Sequence, residues 1–233
     1  MKITVKRFGS VYKLTYFKTT SGGESGGWCP VPQSEREREL CNLARARSSI
    51  RELALCNPWE YFVTLTLNPD KQDRFSLDGF VCDLGVWIGN YNKKFGVHLR
   101  YLLVPEQHKD GAWHMHGLLH DVSPDSVVRN SHGYLDMPYY ANRFGFISLD
   151  PIRDQNKCSS YITKYVTKDT GKGVASSKHL FYHSRGLEKA EEIAVWDVAG
   201  LPVEAWQNDY VGIEWADDDE CLKALVERLE ILS

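Results

Sequence analysis

The sequence predicts an α+β fold in which helices flank a central antiparallel β-sheet. Segments with the alternation typical of strands occur in the order strand, helix, hairpin, strand, helix, strand. An Asp-Gly pair between two of these strands indicates a hairpin, so we expect the strands to be antiparallel. The 233 residues, of which 42% are hydrophobic, suffice for one domain with an extension or for a compact two-layer domain with long connections.

The N-terminal part of the chain predicts short strands followed by a long helix. Residues 2–17 (KITVKRFGSVYKLTYF) indicate two strands around a Gly-Ser turn, and the stretch TTSGGESGG after them has the composition of a flexible linker. A helix is predicted over residues 34–56, where Ser34 and Glu37 fit a capping box. Its apolar face is expected to pack against the sheet.

Three arginines, Arg45, Arg47 and Arg51, lie on the opposite face of this predicted helix. One interpretation is a solvated surface, since charged side chains on a helix usually face water. The other interpretation is a set of contacts to the phosphates of DNA. The sequence leaves both interpretations open.

Strands and helices continue through the middle of the chain. Alternation predicts a strand over 61–67, helical spacing predicts a helix over 76–95 that ends at Gly96, and two strands follow at 97–104 and 112–120. A long polar connection then leads to the last elements. These are a strand at 144–149, a helix at 159–168, a strand at 179–184 and a helix at 218–231.

Charge and cysteine content bear on the class of protein. Residues 188–233 carry thirteen acidic and three basic side chains, a balance of −10, whereas residues 1–187 carry 25 basic and 18 acidic ones, a balance of +7. An acidic C-terminal segment therefore hides a basic body, which is the sign expected for binding nucleic acid. The six cysteines are scattered without a C-x-x-C pair, which favours free thiols in a reducing compartment.

The sequence contains no recognisable membrane or export signal. No stretch approaches eighteen consecutive apolar residues, the length that a membrane-spanning helix needs. The charged start MKITVKRFGS lacks the apolar run of a secretory signal. We therefore expect a cytoplasmic protein with no membrane partner.

Two histidines alternate within the predicted strand WHMHGLL. His114 and His116 share one face of this strand, while Met115 points to the opposite face and into the core. The preceding strand offers Glu106 and His108, and the contribution of His108 stays open. Two imidazoles and a carboxylate leave coordination positions free, which suits a catalytic Mg²⁺ or Mn²⁺ ion better than a closed structural zinc site. Cross-strand polar pairing without a metal is the alternative.

The length of the hairpin loop decides whether Glu106 can join the two histidines. A two-residue turn would place Glu106 on the wrong face of the sheet. A three-residue loop that ends in a left-handed Gly111 would place Glu106 opposite His114 and Val104 opposite His116. The metal site therefore requires the longer loop.

The stretch YITKYVTK repeats the pattern Tyr-x-x-Lys. On a helix, Tyr161 and Tyr165 would lie one above the other, flanked by Lys164 and Lys168. One interpretation is an amphipathic helix that packs the tyrosines and exposes the lysines. The other is a pair of phenol nucleophiles. Because a phenol has a pKa of about 10, attack on phosphate would need help from a metal and a nearby ammonium.

These stretches together resemble one family, the HUH endonucleases that initiate rolling-circle replication. Phe62–Leu67 is similar to the family's F-x-T-L-T strand, His114–His116 to its His-hydrophobic-His strand, and Tyr161–Lys168 to its Y-x-x-K helix. The stretch EQHKDGAWHMH resembles the form in initiators of plant geminiviruses. The doubled Y-x-x-K looks like that of two-tyrosine initiators of small single-stranded DNA phages. The resemblance covers about residues 45–187.

The resemblance implies an HUH fold, a two-layer fold similar to the RRM, and a role for each residue of interest. One divalent ion, Mg²⁺ or Mn²⁺, would be bound by Glu106, His114 and His116. The catalytic residues would be Tyr161, Tyr165, Lys164 and Lys168. The DNA-binding residues would be Lys164, Lys168, Arg45, Arg47 and Arg51.

The resemblance also implies an activity and partners. The chain would nick single-stranded or hairpin origin DNA, form a 5′-phosphotyrosine intermediate and rejoin the ends. It would act in a bacterial cell, encoded by a phage, prophage or plasmid, together with a host or separate helicase and a polymerase. The alternatives are a relaxase- or transposase-like HUH nickase, or a non-catalytic DNA-binding regulator of replication on the same fold.

The expected domain organisation has three parts. Residues 1–33 would form N-terminal strands and a Gly-rich linker, and residues 34–187 would form the HUH endonuclease domain. Residues 188–233 would be an acidic C-terminal extension.

Overall fold

The structure is a computed structural model, and it describes residues 2–17, 34–166, 179–197 and 211–231. The chain folds as two compact units. The larger unit spans Gln33–Leu187, and the smaller one combines Met1–Pro32 with Glu188–Ser233. Each unit contains an antiparallel sheet and at least one helix, so the predicted α+β class is confirmed. The Gly-rich stretch that we interpret as a linker lies outside the described residues.

The described part of the larger unit contains four helices and a seven-stranded sheet. The helices are α1 (Glu35–Cys56), α2 (Leu77–Phe95), α3 (Pro138–Ala141) and α4 (Gln155–Ile162). The strands are β3 (Tyr61–Thr66), β4 (Arg100–Gln107), β5 (Trp113–His120), β6 (Val128–Arg129), β7 (Leu135–Asp136), β8 (Ile147–Pro151) and β9 (Tyr182–His183). Their order across the sheet is β6-β7-β8-β3-β5-β4-β9.

The ends of the two long helices follow the predicted capping signals. The Ser34 hydroxyl accepts a hydrogen bond from the Glu37 N–H at 3.2 Å, and the Glu37 carboxylate accepts one from the Ser34 N–H at 3.3 Å. The predicted capping box of α1 is therefore confirmed. Gly96 ends α2 with a φ of +66°, a left-handed conformation that suits glycine.

Helices pack on both faces of the seven-stranded sheet. On one face, α2 buries Phe80 and Trp87 in a core that also contains Met115 of the sheet. On the other face, Ile50 of α1 and Ile162 of α4 belong to a second core. Because the two cores use alternate residues of each strand, the strand alternation that the sequence displays corresponds to two different cores.

The strand before the hairpin begins and ends three residues later than predicted, at Arg100–Gln107 in place of 97–104. The N–H of Leu99 donates a hydrogen bond to the side chain of Asn92 at 2.9 Å, which ties the preceding segment to the end of α2. Pro105 is tolerated inside β4 because its nitrogen points away from β5, at a level beyond the pairing of β9 with Leu102 and Leu103.

The helix that carries the tyrosines also differs from its predicted limits of 159–168. It begins earlier, at Gln155, because the Asp154 side chain accepts a hydrogen bond from the Lys157 N–H at 2.9 Å and so caps the helix. The α-helix ends at Ile162 and continues as one 3₁₀ turn over Thr163–Tyr165.

The polar connection predicted between the hairpin and the next strand is more structured than expected. It contains the short strands β6 and β7 and the one-turn helix α3. Met137 and Tyr140 in this region are fully buried in the core beneath α2. These apolar anchors explain why the segment folds back onto the sheet.

The smaller unit is a four-stranded antiparallel sheet with one described helix. Its elements are β1 (Lys2–Phe8), β2 (Val11–Phe17), β10 (Glu191–Asp197), β11 (Val211–Ala216) and α5 (Asp219–Ile231), with the strand order β10-β1-β2-β11. Its core combines Val5 and Leu14 of the N-terminal hairpin with Leu222 of the acidic segment. Sequence reasoning treated the two ends of the chain separately, whereas the structure joins them in one sheet.

The helices within the described ranges are all too short or too polar to cross a bilayer.

Candidate active site

The hairpin of β4 and β5 has the register that the metal site requires. Glu106 opposes His114, and Val104 opposes His116. The loop closes with hydrogen bonds from the His108 N–H to the Ala112 carbonyl at 2.8 Å and from the Gly111 N–H to the His108 carbonyl at 2.9 Å. This leaves three residues in the loop.

Gly111 ends that loop with a φ of +87°. Side chains rarely adopt this region of backbone space, and glycine does so at little cost. The predicted three-residue loop and its left-handed glycine are therefore confirmed. As predicted, Met115 faces the opposite core and is completely buried.

The three predicted ligands converge on one point. The Nε2 atoms of His114 and His116 lie 2.9 Å and 2.8 Å from the same Oε2 atom of Glu106, and 3.0 Å from each other. Both imidazoles are buried, whereas Glu106 is about one-third exposed. This trio is a group that could hold a metal ion.

The donor set fits a small divalent cation. Two neighbouring ligands about 2.1 Å from an octahedral ion lie about 3.0 Å apart, and the three atoms are separated by 2.8 to 3.0 Å. A carboxylate with two imidazoles suits Mn²⁺ or Mg²⁺ when further positions are left for water or substrate. The exposed edge at Glu106 supplies access to those positions.

The pKa values favour the metal-binding protonation states. Burial lowers the pKa of His116 to about 4 and also lowers the pKa of His114. Burial acts to raise the pKa of Glu106, but its hydrogen bonds to the two histidines outweigh this and lower it. At neutral pH the site therefore presents two neutral imidazoles and one carboxylate, the forms that bind a cation.

His108 lies at the rim of this trio. Its ring centroid is 4.0 Å from that of His114, in an edge-to-face arrangement, and its side chain is exposed. It is not a member of the group of potential metal ligands. The geometry therefore places His108 beside the ligands.

Thr64 is a residue of the site that the sequence interpretation left unassigned. Its Oγ1 lies 3.1 Å from Nδ1 of His116, on the neighbouring strand β3, where Thr64 directly opposes His116. A hydrogen bond at Nδ1 fixes the orientation of the imidazole and leaves Nε2 to face the ligand cluster. The signal was present in the sequence, because Thr64 alternates with core residues in the strand FVTLTL.

The two tyrosines lie together beside this cluster. The Tyr165 hydroxyl donates a hydrogen bond to the Tyr161 hydroxyl at 2.7 Å. The Tyr165 ring stacks on the His116 ring, with centroids 3.6 Å apart. Tyr161 is 46% exposed, whereas Tyr165 is half-buried. One phenol is thus accessible to a ligand in solution, while the other rests on a potential metal ligand.

Phe62 of β3 supports both phenol rings. Its centroid lies 5.3 Å from that of Tyr161 and 6.1 Å from that of Tyr165. Because Phe62 belongs to the strand that also carries Thr64, one strand orients both a histidine and the tyrosines. Phe62 was quoted within the strand motif, but sequence reasoning assigned it no role.

The pKa of Tyr165 is raised well above its ordinary value. Burial is the main cause, followed by the hydrogen bond to Tyr161 and the negative charge of Glu106. The phenol is therefore protonated at neutral pH and would need a nearby positive charge to become a nucleophile.

One of the two predicted lysines is close to the tyrosines. The Lys164 Nζ lies 5.3 Å from the centroid of the Tyr161 ring and is exposed. Lys168 lies outside the described residues. The positive charge available at the phenol pair in the described part of the site includes Lys164.

The three arginines of α1 occupy different positions. Arg47 donates two hydrogen bonds, at 2.9 and 2.6 Å, to the carbonyl of Val166, the residue that follows the tyrosine turn. Arg45 is exposed and Arg51 is half-buried. Arg47 therefore contacts the end of the tyrosine segment, a contact that the sequence pattern does not reveal. DNA binding by the three arginines stays a prediction.

A comparison with known protein families gave a match that covers this site. The model of a family of replication-associated proteins, described by its member ORF2, matches residues 60–170, just under half of the chain. The matched range contains β3, the metal-ligand hairpin and both tyrosines. This match is consistent with a replication initiator and supports a role in DNA replication. Neither the curated proteins nor the solved structures gave a match.

Proposed function

We propose that the larger unit is an HUH endonuclease domain that initiates rolling-circle replication by nicking and rejoining single-stranded origin DNA. The observation that carries this proposal is the pair of phenols held against the ligand cluster. The Tyr165 ring stacks on His116 with centroids 3.6 Å apart, and its hydroxyl is 2.7 Å from that of Tyr161. The match to a replication-associated family supports the same conclusion.

The ligands of the divalent ion would be Glu106, His114 and His116. A bound Mg²⁺ or Mn²⁺ would stabilise the negative charge that develops on the scissile phosphate. The protein's contribution is to present three donor atoms 2.8 to 3.0 Å apart in the correct protonation states. Thr64 would hold the His116 ring in the required orientation.

In the nicking step, a tyrosine oxygen would attack the scissile phosphorus. A bond forms between the phenol oxygen and phosphorus, and the bond from phosphorus to the 3′ oxygen of the preceding nucleotide breaks. The phenol loses its proton and the 3′ oxygen gains one, which leaves a 5′-phosphotyrosine and a free 3′-hydroxyl. Lys164 would stabilise the negative charge at the phenol or the phosphate, and Lys168 would do the same.

The second tyrosine would allow the products to be rejoined. After one round of synthesis, it would cut the regenerated origin in the same way. The released 3′-hydroxyl would then attack the first phosphotyrosine, forming the new phosphodiester and returning the phenol. Because the two hydroxyls are 2.7 Å apart, both could serve one phosphate site with little movement of the turn that carries them.

The partners follow from this chemistry. We propose that the substrate is single-stranded or hairpin origin DNA and that Arg45, Arg47 and Arg51 contribute contacts to its phosphates. The free 3′-hydroxyl would prime a polymerase, and a host or separate helicase would unwind the duplex. The protein would act in the cytoplasm of a bacterial host and be encoded by a phage, prophage or plasmid.

The test is formation of a covalent adduct. The full chain is incubated with Mn²⁺ and a single-stranded oligonucleotide of the replicon's own origin that is labelled at its 3′ end. A 5′-phosphotyrosine retains the fragment downstream of the nick, so the label should migrate with the protein in SDS. We expect an adduct from the wild type and none from the double variant Tyr161→Phe, Tyr165→Phe.

Single variants and a matched control separate the parts of the proposal. Tyr134→Phe, a change at another exposed tyrosine (71% exposed), should leave the adduct unchanged. Each single Tyr→Phe variant of the pair should lose closure of the circle. If Tyr161→Phe nicks and closes normally, the two-tyrosine relay is wrong. If the wild type binds the origin and forms no adduct, the nickase proposal fails and the non-catalytic regulator takes its place.

A further inference from the structure

An exposed aromatic side chain lies on the same sheet face as the ligand cluster. Phe146 is 73% exposed, whereas the next residue, Ile147, is only 8% exposed and points into the core beneath α2. The alternation continues along the strand, with Ser148 exposed and Leu149 buried. Phe146 therefore faces away from that core, towards the side of the sheet that carries the metal ligands.

The strand register places Phe146 in one row with the ligands. The N–H of Thr66 donates a hydrogen bond to the Phe146 carbonyl at 2.9 Å, next to the paired residues Leu65 and Ile147. Thr66 itself opposes His114 on its other side. The row across the sheet is Phe146, Thr66, His114 and Glu106.

This row is the open part of the face. Two rows further along the strands, Leu118 and Leu102 lie under α1 and α4 in the second core. That far row also carries the exposed carboxylate of Asp150, which would repel phosphates. A polyanion bound at the ligand cluster would therefore pass over Thr66 and Phe146 in preference to Asp150.

The distance between the ligands and Phe146 suits a nucleotide chain. Strands in a sheet lie about 4.8 Å apart, so two strand spacings put the backbone of Phe146 about 10 Å from that of His114. A rise of about 3.4 Å per stacked nucleotide then brings a base a few positions from the scissile phosphate over the ring. Aromatic side chains bind single strands by stacking on such bases.

We propose that Phe146 is a stacking platform for a base of the single-stranded DNA, a few nucleotides from the scissile phosphate. This inference rests on the proposed function, since it takes the same strand of DNA past the same ligand cluster. It adds a binding residue that neither the sequence motifs nor the family match identify. An open phenyl ring in line with the ligands gives the DNA path a direction across the sheet, from the tyrosine turn towards β8.

Binding in the absence of a divalent ion tests the platform. A single-stranded origin oligonucleotide carries 2-aminopurine at one position at a time, and its fluorescence is followed on titration with the full chain. We expect stacking on Phe146 to quench one or two adjacent positions. Phe146→Ala should abolish that quenching and weaken binding roughly 5- to 150-fold, the range expected for the loss of one stacked base.

Substitutions of graded chemistry separate stacking from apolar contact. Phe146→Trp should bind as tightly as the wild type, whereas Phe146→Leu should bind as weakly as Phe146→Ala. Tyr134→Ala, a matched loss of an aromatic side chain that is 71% exposed, should bind normally. In nicking assays Phe146→Ala should raise KM by the factor seen in binding and leave kcat and Mn²⁺ affinity unchanged.

Two outcomes would overturn the platform. The first is Phe146→Ala with unchanged binding and unchanged quenching. The second is Phe146→Ala that binds DNA normally but loses self-association in sedimentation, which would assign the ring to a second copy of the chain. Because binding is measured without the metal, a wild type that stacks DNA but forms no adduct would refute the nickase proposal and leave the platform intact.

Discussion

The two faces of β5 use alternate residues of one strand, and they solve different physical problems. On one face, Met115 packs in a core of apolar side chains beneath α2. On the other face, Leu118 packs beneath α1 at one end, whereas His114 and His116 are buried at the hairpin end. Burial is nearly equal on the two faces, so burial by itself does not identify the site.

The difference lies in what compensates the burial. Met115 gains free energy by leaving water and filling space. The imidazoles lose hydration, as their lowered pKa values indicate, and recover it through contacts to Glu106 and Thr64. A face that buries polar groups around one point can be filled by a cation, whereas an apolar face cannot. Substitutions on the two faces should therefore affect different properties.

The largest expected effect comes from exchanging one residue on each face. Met115→Ala should lower the free energy of unfolding by about 2–5 kcal/mol, because it opens a cavity in the core. His116→Ala should lower Mn²⁺ affinity and adduct formation by at least about 100-fold, because it removes a ligand. Denaturant unfolding in EDTA and calorimetric Mn²⁺ titration measure the two properties.

The comparison fails if these properties do not separate. Met115→Ala should retain the wild-type Mn²⁺ affinity at temperatures where it is folded, and His116→Ala should lose less stability than Met115→Ala. Equal loss of stability in both variants, with no effect of His116→Ala on Mn²⁺ binding, would show that the histidines are ordinary core residues paired across strands.

The sequence was sufficient to predict the register of this hairpin. Counting residues across Lys109, Asp110 and Gly111 places Glu106 opposite His114, and the structure has this arrangement. Local patterns of this kind work because a strand period of two and a loop of known length fix every opposing pair. The capping box of α1 was predictable for the same reason, since it involves neighbours in the chain.

Contacts between distant segments were not predictable in this way. The hydrogen bonds of Arg47 to Val166, and the position of Phe146 beside the ligand row, depend on which strands and helices become neighbours. The same holds for the smaller unit, where the two ends of the chain meet in one sheet. Period and spacing within a segment contain no information about such pairings.

A smaller effect is expected from the hydrogen bond that orients a ligand. Thr64→Val keeps the shape of the side chain but removes the hydroxyl that lies 3.1 Å from Nδ1 of His116. Loss of such an outer contact typically costs about 10- to 100-fold in metal affinity, so we expect a reduction of that order. Ser148→Ala is the matched control, because Ser148 opposes Thr64 on β8 and lies one strand further from the ligands. Equal Mn²⁺ titrations for Thr64→Val and wild type would remove Thr64 from the site.

The smallest expected effect concerns the turn that sets the register of the two faces. Gly111 has a φ of +87° and Gly133, in the turn between β6 and β7, has a φ of +81°. An alanine at either position should cost about 1–2 kcal/mol of unfolding free energy, since a Cβ is disfavoured in left-handed backbone. Because a three-residue loop holds Glu106 opposite His114, Gly111→Ala should also weaken Mn²⁺ binding by less than tenfold, and Gly133→Ala should not. If both variants lose equal stability and bind Mn²⁺ equally well, the left-handed glycine serves the fold alone, and the pairing of Glu106 with His114 is maintained by the strands.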